Sequence, residues 1–214
     1  MPLIRIPLIT DLDTLPRLEP LPSERIVTPE TPAQLAEAVD ALMAWRHVGF
    51  DTESKPTFRA GEVSTGPHLI QLATPEKAFL FQVGVEGAVA AAKTVLEATQ
   101  VLKVGFGLGS DRSRLRTRLD IELRPFIDLG TTLRYQGKKG QVGLRGAVAG
   151  VLGARVSKSR SISTSNWANP VLSEAQRRYA ASDAYAALQV FLALGDDPER
   201  LLADRIMPLG NSTP

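Results

Sequence analysis

The chain has 214 residues, 43% of them hydrophobic and 22% charged, with a formal net charge of +2. That length suits one sizeable domain with its own core, and no apolar run is long enough to span a bilayer, so a membrane protein is not expected. Cysteine is absent, which excludes a disulfide framework, a thiolate metal site and a cysteine nucleophile, and fits a cytoplasmic location.

Residues 1–30 carry six of the 15 prolines and show no clean periodicity, so an arm or extended wrap is expected there. Its apolar stretch is interrupted by Pro7 and followed by Asp11 and Asp13, unlike a secretory leader. Leu3, Ile4, Ile6, Leu8 and Ile9 would pack on the domain or on a protein partner. The next segment, TPAQLAEAVDALMAW, opens as a helix: Thr31 can cap, Pro32 suits the first helical position and Gln34 completes a capping box. Leu35, Val39 and Leu42 form its buried stripe.

Three strands are then expected at 47–53 (HVGFDTE), 68–74 (HLIQLAT) and 78–83 (AFLFQV), the last two joined as a hairpin through Pro75, Glu76 and Lys77. An Ala-rich helix fits 86–98, and QVLKVGF a fourth strand. GSDRSRLRTRL reads as a helix capped by Ser110, and 124–129 as a fifth strand. Two more helices, VGLRGAVAGVLG and the long LSEAQRRYAASDAYAALQVFLAL, follow. Strands alternating with helices, plus an early hairpin, give a three-layer α/β domain with a mixed sheet.

The first of these strands ends on two carboxylates. Asp51 and Glu53 are two apart, so both point to the same side. Like charges that close raise each other's pKa unless a cation sits between them. The pair alone is compatible with a metal site and with two solvated charges on a loop. In KVGFGLGSDRSRL (103–115) the glycines do not make a dinucleotide turn, because Ser110 stands where G-x-G-x-x-G needs its third glycine. There is no P-loop either, so no nucleotide cofactor is expected. Asp111 falls in the first turn of a helix, where a carboxylate is favourable on its own account. Tyr179 and Asp183 are four apart, on one helical face. Asp183 lies among Ala180, Ala181, Ala184, Ala186 and Ala187, a surface that permits close approach and makes an unpaired carboxylate costly.

Taken together, FDTE, KVGFGLGSD and YAASD resemble the three exonuclease motifs of the DEDD superfamily, whose fold is ribonuclease H-like. The Y-x-x-x-D spacing resembles the DEDDy branch; the sister branch has a His five residues before the last Asp, where this chain has Arg178. HLIQLAT followed by AFLF, and SNWANPVLSEAQRRYAASDAY, are similar to Werner-type and RNase D-type 3'-5' exonuclease domains. The resemblance implies a ribonuclease H-like three-layer α/β fold with a mixed five- to six-stranded sheet flanked by helices. It implies an exonuclease domain at 31–195, preceded by the Pro-rich arm at 1–30 and followed by a tail at 196–214. With little chain after the last long helix, a stand-alone domain is expected, without RNase D's accessory domains or a helicase.

The same resemblance implies a 3'-5' exonuclease releasing nucleoside 5'-monophosphates, with Asp51, Glu53, Asp111 and Asp183 holding two Mg2+ or Mn2+ ions. Oxygen-only ligands suit hard cations, and His47 and His68 are scattered. On the family pattern Asp51 bridges both ions, Glu53 and Asp183 hold the one that activates water, and Asp111 serves the second. Tyr179 would orient the attacking water. Lys55 and Phe58, just past the first motif, would touch the terminal nucleotides, Phe58 by stacking. Lys158 and Arg160, in a Ser-rich loop, would grip phosphates, while Gln71 and Trp167 read as structural. The substrate is the 3' end of nucleic acid, with DNA slightly favoured over RNA because FDTESKPTF is closer to the Werner-type motif. A catalytically weak nucleic-acid-binding or docking module of the same fold is the alternative. Three basic clusters, Arg112 to Arg118, Lys138 with Lys139, and Arg155 to Arg160, are either solvated faces or phosphate grips.

Overall fold

The structure, a computed structural model, describes residues 3–57, 61, 65–157 and 159–195. In chain order the elements are β1 (Ile4–Ile6), β2 (Ile26–Val27), α1 (Pro32–Met43), β3 (His47–Glu53), β4 (Leu69–Ala73), β5 (Ala78–Gln82), α2 (Ala88–Glu97) and β6 (Leu102–Gly105). They continue with α3 (Gly109–Leu119), β7 (Phe126–Asp128), α4 (Leu129–Thr132), β8 (Leu133–Tyr135), α5 (Leu144–Leu152), α6 (Arg160–Ser163) and α7 (Glu174–Ala193). Six strands form one sheet in the order β2-β5-β4-β3-β6-β7. β4 runs antiparallel to β3 and β5, while β2 with β5, β3 with β6 and β6 with β7 are parallel pairs.

Side-chain alternation along central β3 sorts the layers. Val48 and Phe50 turn to one face and join Leu35, Leu42, Leu96 and Leu115, from α1, α2 and α3, in one core. α5 and α7 cover the other face. There Leu188 and Phe191 meet Val104 and Ile127, and Ala180 and Ala184 meet Leu69 and Leu80. Helices on both sides explain why β4 and β5 are buried at every position and read as apolar runs. This is the expected three-layer architecture with a mixed sheet of six strands.

Helix starts follow local chemistry. The capping box of α1 forms, with Gln34 N–H donating to Thr31 Oγ1 (3.3 Å) and Thr31 N–H to Gln34 Oε1 (3.1 Å). Its stripe is Leu35, Ala38 and Leu42, with Val39 only partly covered. α3 departs from expectation: Ser110 lies inside the helix and caps nothing, because Leu108 is the N-cap residue. The chain enters α3 straight from the glycine turn, and Asp128, at the end of β7, satisfies the turn's donors instead. Its carboxylate accepts from Gly107 N–H (2.9 Å), Leu108 N–H (3.0 Å) and Gly130 N–H (3.0 Å).

The arm is part of this fold. β1 pairs in parallel with β8, and Gln136 N–H extends the ladder to the Ile6 carbonyl (2.9 Å). Further along, Leu18 N–H donates to the Arg155 carbonyl (2.9 Å) and Arg155 N–H to the Pro16 carbonyl (2.8 Å). The Arg155 side chain donates from Nε to the Leu15 carbonyl (3.0 Å), so this cation holds the arm and is not a free phosphate grip. Arg177 Nη2 reaches the Ile26 carbonyl (2.5 Å) where the arm becomes edge strand β2. Ile6, Leu18 and Leu21 pack inward, whereas Leu3 and Leu8 stay exposed.

Candidate active site

Gly49, Asp51 and Glu53 share the face of β3 that α7 covers, and Gly49 sets how close α7 comes. A β-carbon at position 49 would overlap the Ala184 carbonyl oxygen and lie 2.8 Å from its carbon. The helix backbone therefore rests on the strand, which is what the alanine surface of α7 permits. Asp183, buried beside Ala184, is thereby brought next to Asp51. Burial first, then the charges of Asp183, Asp111 and Glu53, push the Asp51 carboxyl well above its ordinary range. One donor opposes this: Thr52 N–H binds Asp51 Oδ1 at 2.8 Å.

Thr52, between the two acids, points to the opposite face and meets α3. Its hydroxyl donates to Asp111 Oδ1 at 2.5 Å, and Ser110 Oγ donates to Oδ2 at 3.4 Å. Asp111 thus reaches the cluster from the α1–α3 layer, over the end of the sheet, while Asp183 reaches it from the α7 layer. Tyr179 hydrogen-bonds Asp183 one turn along α7. Burial, followed by the charges of Asp183, Glu53 and Asp51, raises the Tyr179 phenol strongly, so it keeps its proton at any ordinary pH. Its ring stands 6.0 Å from that of Trp167, which is buried as a structural residue should be.

Four carboxylates from three elements thus act on one another at the end of β3, Asp111 and Asp183 buried, Asp51 and Glu53 partly so. Among the described residues no three His, Cys, Asp or Glu side chains close into a finished ligand shell. The donor set nevertheless fits a hard cation: it is all oxygen, and its mutual repulsion is what positive charge would relieve. Beside Asp51 and Asp183 opens a cleft of about 320 Å³, walled by Phe50, Phe106, Gly107, Gln141, Val142 and Leu144. Lys55 lies exposed just past Glu53, its N–H donating to His68 Nδ1 (3.1 Å). Arg160 is exposed at the start of α6, whose Ile162 packs in the same cluster as Tyr179. Phe58 and Lys158 lie outside the described residues. Gln71 is fully buried on β4, paired in register with Asp51.

Sequence reasoning missed Thr52, Asp128 and Gly49. Thr52 carried a faint signal, as a hydroxyl between two acids. Asp128 carried none, because its partners are backbone N–H groups of a turn some twenty residues away.

A family model described as a 3'-5' exonuclease matches residues 26–197. The chain is 36% identical over 152 residues to mouse "Bifunctional 3'-5' exonuclease/ATP-dependent helicase WRN", covering 70% of this chain and 11% of that protein. It is 28% identical over 172 residues to ribonuclease D of Xanthomonas oryzae pv. oryzae, covering 79% of this chain and 45% of that one. The chain therefore spans a small part of the first relative and under half of the second. Among solved structures, the Aedes aegypti Nibbler EXO domain superposes with TM-score 0.68 at 25% identity, covering 87% of this chain and 93% of that one. Escherichia coli RNase D shares the fold, with TM-score 0.63 at 21% identity, covering 81% of this chain and 46% of that one. With a group of carboxylates at the end of its central strand and a family match over most of its length, the chain belongs to the 3'-5' exonuclease family.

Proposed function

We propose that this protein is a metal-dependent 3'-5' exonuclease acting on the 3' end of nucleic acid, DNA somewhat before RNA. The observation that supports it is the approach of Asp183 from α7 and Asp111 from α3 to Asp51 and Glu53 at the end of β3, near enough for their charges to raise the Asp51 carboxyl. Two divalent cations, Mg2+ or Mn2+, would supply an activated water and stabilise the leaving oxygen of an in-line displacement. Asp51, Glu53, Asp111 and Asp183 would hold these ions. Thr52 fixes the Asp111 carboxylate from below. Tyr179, protonated and bonded to Asp183, orients the attacking water and is no base. Water oxygen joins phosphorus, the bond to the preceding 3' oxygen breaks, and a nucleoside 5'-monophosphate leaves with a new 3' hydroxyl behind it.

The cleft beside Asp51 has the size and apolar walls for a terminal nucleotide, with Phe106 and Leu144 available to a base. Lys55, Phe58, Lys158 and Arg160 are the further substrate contacts of this reading. The N–H groups of Gly107 and Leu108 are already taken by Asp128, which supports the absence of a nucleotide-cofactor site in that turn. The catalytic unit is 31–195, with the tail at 196–214 outside it. The arm at 1–30 docks on its own domain; a protein partner would have to use its exposed Leu3 and Leu8. Among the described residues no helix is long and apolar enough to cross a membrane, and the cysteine-free sequence suits the cytoplasm.

The test is a degradation assay with 5'-labelled single-stranded DNA, recessed and overhanging duplexes, and RNA, in Mg2+, Mn2+ or EDTA. A metal-dependent ladder shortening from the 3' end, lost in Asp51→Ala and Asp183→Ala, is expected. A folded wild-type protein with no ladder on any substrate would leave the docking-module alternative.

A further inference from the structure

We propose that the side-chain amide of Gln71 is the donor that holds the Asp51 carboxylate in place when a divalent cation is bound, an inference that rests on the exonuclease reading of the site. Gln71 stands at the middle of β4, on the face that α7 covers. The register puts four side chains around it there: Asp51 of β3 and Leu80 of β5 directly opposite, Leu69 and Ala73 two residues away along β4 itself. Directly paired residues on neighbouring strands have β-carbons about 5 Å apart, so a glutamine is long enough to reach its partner's carboxylate. Above them α7 brings Ala180 and Ala184, which pack with Leu69 and Leu80. Methyl groups, and a helix backbone bonded along its own axis, give an amide nothing to bind. Of the four side chains around Gln71, only that of Asp51 is polar.

That amide is costly where it lies. Gln71 is fully buried, and neither Oε1 nor Nε2 has a hydrogen-bond partner among the described residues. The other buried polar side-chain atoms without a partner there sit one to a residue, in Thr28, Ser54 and Arg177. Buried glutamines elsewhere are satisfied. Gln82 Nε2 donates to the carbonyls of Asn169 (3.0 Å) and Pro170 (3.2 Å). Gln176 Nε2 donates to Ser165 Oγ (3.0 Å), and its Oε1 accepts from Ser173 N–H (3.0 Å). A methionine or leucine in place of Gln71 would match the apolar run of β4 and remove the penalty of an unpaired amide. The amide has a use at Asp51, whose Oδ1 receives Thr52 N–H from its own strand. A carboxylate that takes up a metal ion is oriented by donors from the surrounding shell, and Gln71 is the polar side chain in register to supply one. Being neutral, it orients the carboxylate without competing, as a lysine would, for the negative charge that draws the cation.

The test compares Gln71→Met and Gln71→Leu with Gln82→Met, all in the full chain. Gln82 is on the same sheet face one strand away, with its amide satisfied. Thermal melts in EDTA should move in opposite directions. The Gln71 variants melt about 3 °C above wild type, and Gln82→Met, which strands two carbonyls, melts below it. Calorimetric titration with Mn2+ should give an affinity about tenfold weaker in both Gln71 variants and unchanged in Gln82→Met. In cleavage of a DNA single strand, the Mn2+ needed for half-maximal rate rises by the same factor in the Gln71 variants, KM for the strand does not move, and excess Mn2+ restores the lost rate. A packing fault is not repaired by metal. Wild-type Mn2+ affinity in the Gln71 variants, or a melting temperature no higher than wild type in both, would overturn the proposal and leave an enzyme that still cleaves. Weaker Mn2+ binding in the Gln71 variants of a chain that cleaves nothing would keep the role of Gln71 and reject the exonuclease. A folded wild type that binds no Mn2+ would overturn both.

Discussion

Asp51 is where the cost of this site is concentrated. Its carboxyl titrates well above the ordinary range in the folded chain, so between that ordinary value and its raised one the folded state binds more protons than the unfolded state. Stability of the metal-free protein should therefore rise as pH is lowered through the raised pKa toward the ordinary one, and fall as pH is raised through that window. Asp51→Asn should flatten that dependence and raise the melting temperature in EDTA at neutral pH, which thermal melts across pH would read. A wild-type-like pH profile in the variant would mean the carboxylates do not feel one another. Tyr179→Phe removes the hydroxyl and leaves the acids, so Mn2+ binding by calorimetry should persist while kcat drops by up to about a hundredfold. Thr52→Val keeps shape and removes the donor that fixes Asp111; metal affinity should weaken about tenfold with the fold intact. Unchanged affinity would make the Thr52 bond a bystander.

At the scale of elements, the meeting of α7 and β3 decides whether these acids share a space. Gly49→Ala would force the two backbones apart, because the obstacle is the Ala184 carbonyl and not a movable side chain. A destabilisation of about 3 kcal/mol by denaturant titration is expected. Activity should fall more than unfolding alone explains, since Asp183 moves with the helix. Much of this level was readable from sequence. The β3 and hairpin strands, α1 with its capping box and the long α7 followed from alternation, apolar spacing and cap residues, all local signals. Two features could not be read that way. Ser110 has the right chemistry for a cap, but the helix already begins at Gly109, so the Arg112 N–H it would have served donates to the Leu108 carbonyl (2.9 Å). Lys103, inside VLKVGF, looks like a surface residue and is fully buried, its ammonium donating to the carbonyls of Val95, Ala98, Val101 and Arg124. Burial draws its pKa down to about 7, and a lysine tail long enough to find four backbone oxygens is invisible to any pattern of polar and apolar letters.

For the molecule as a whole, the arm changes what counts as the domain. Its prolines and missing periodicity indicated extended chain correctly. Its destination was illegible, because β1 finds its partner only in β8, more than a hundred residues along the sequence. Ile6→Ala should cost about 2 kcal/mol by chemical denaturation, since its side chain belongs to the core beneath α5. A chain begun at residue 31 should melt well below the full one. If it melts alike, the arm is an ornament and not a strap.

The parallel pairing of Ile4 with Leu133 and of Ile6 with Tyr135 also fixes an order of events during synthesis. β1 leaves the ribosome before β8 and cannot find its place until the chain beyond residue 135 has followed. Over that interval the apolar side of the arm travels uncovered, and chaperones of nascent chains have that time in which to hold it.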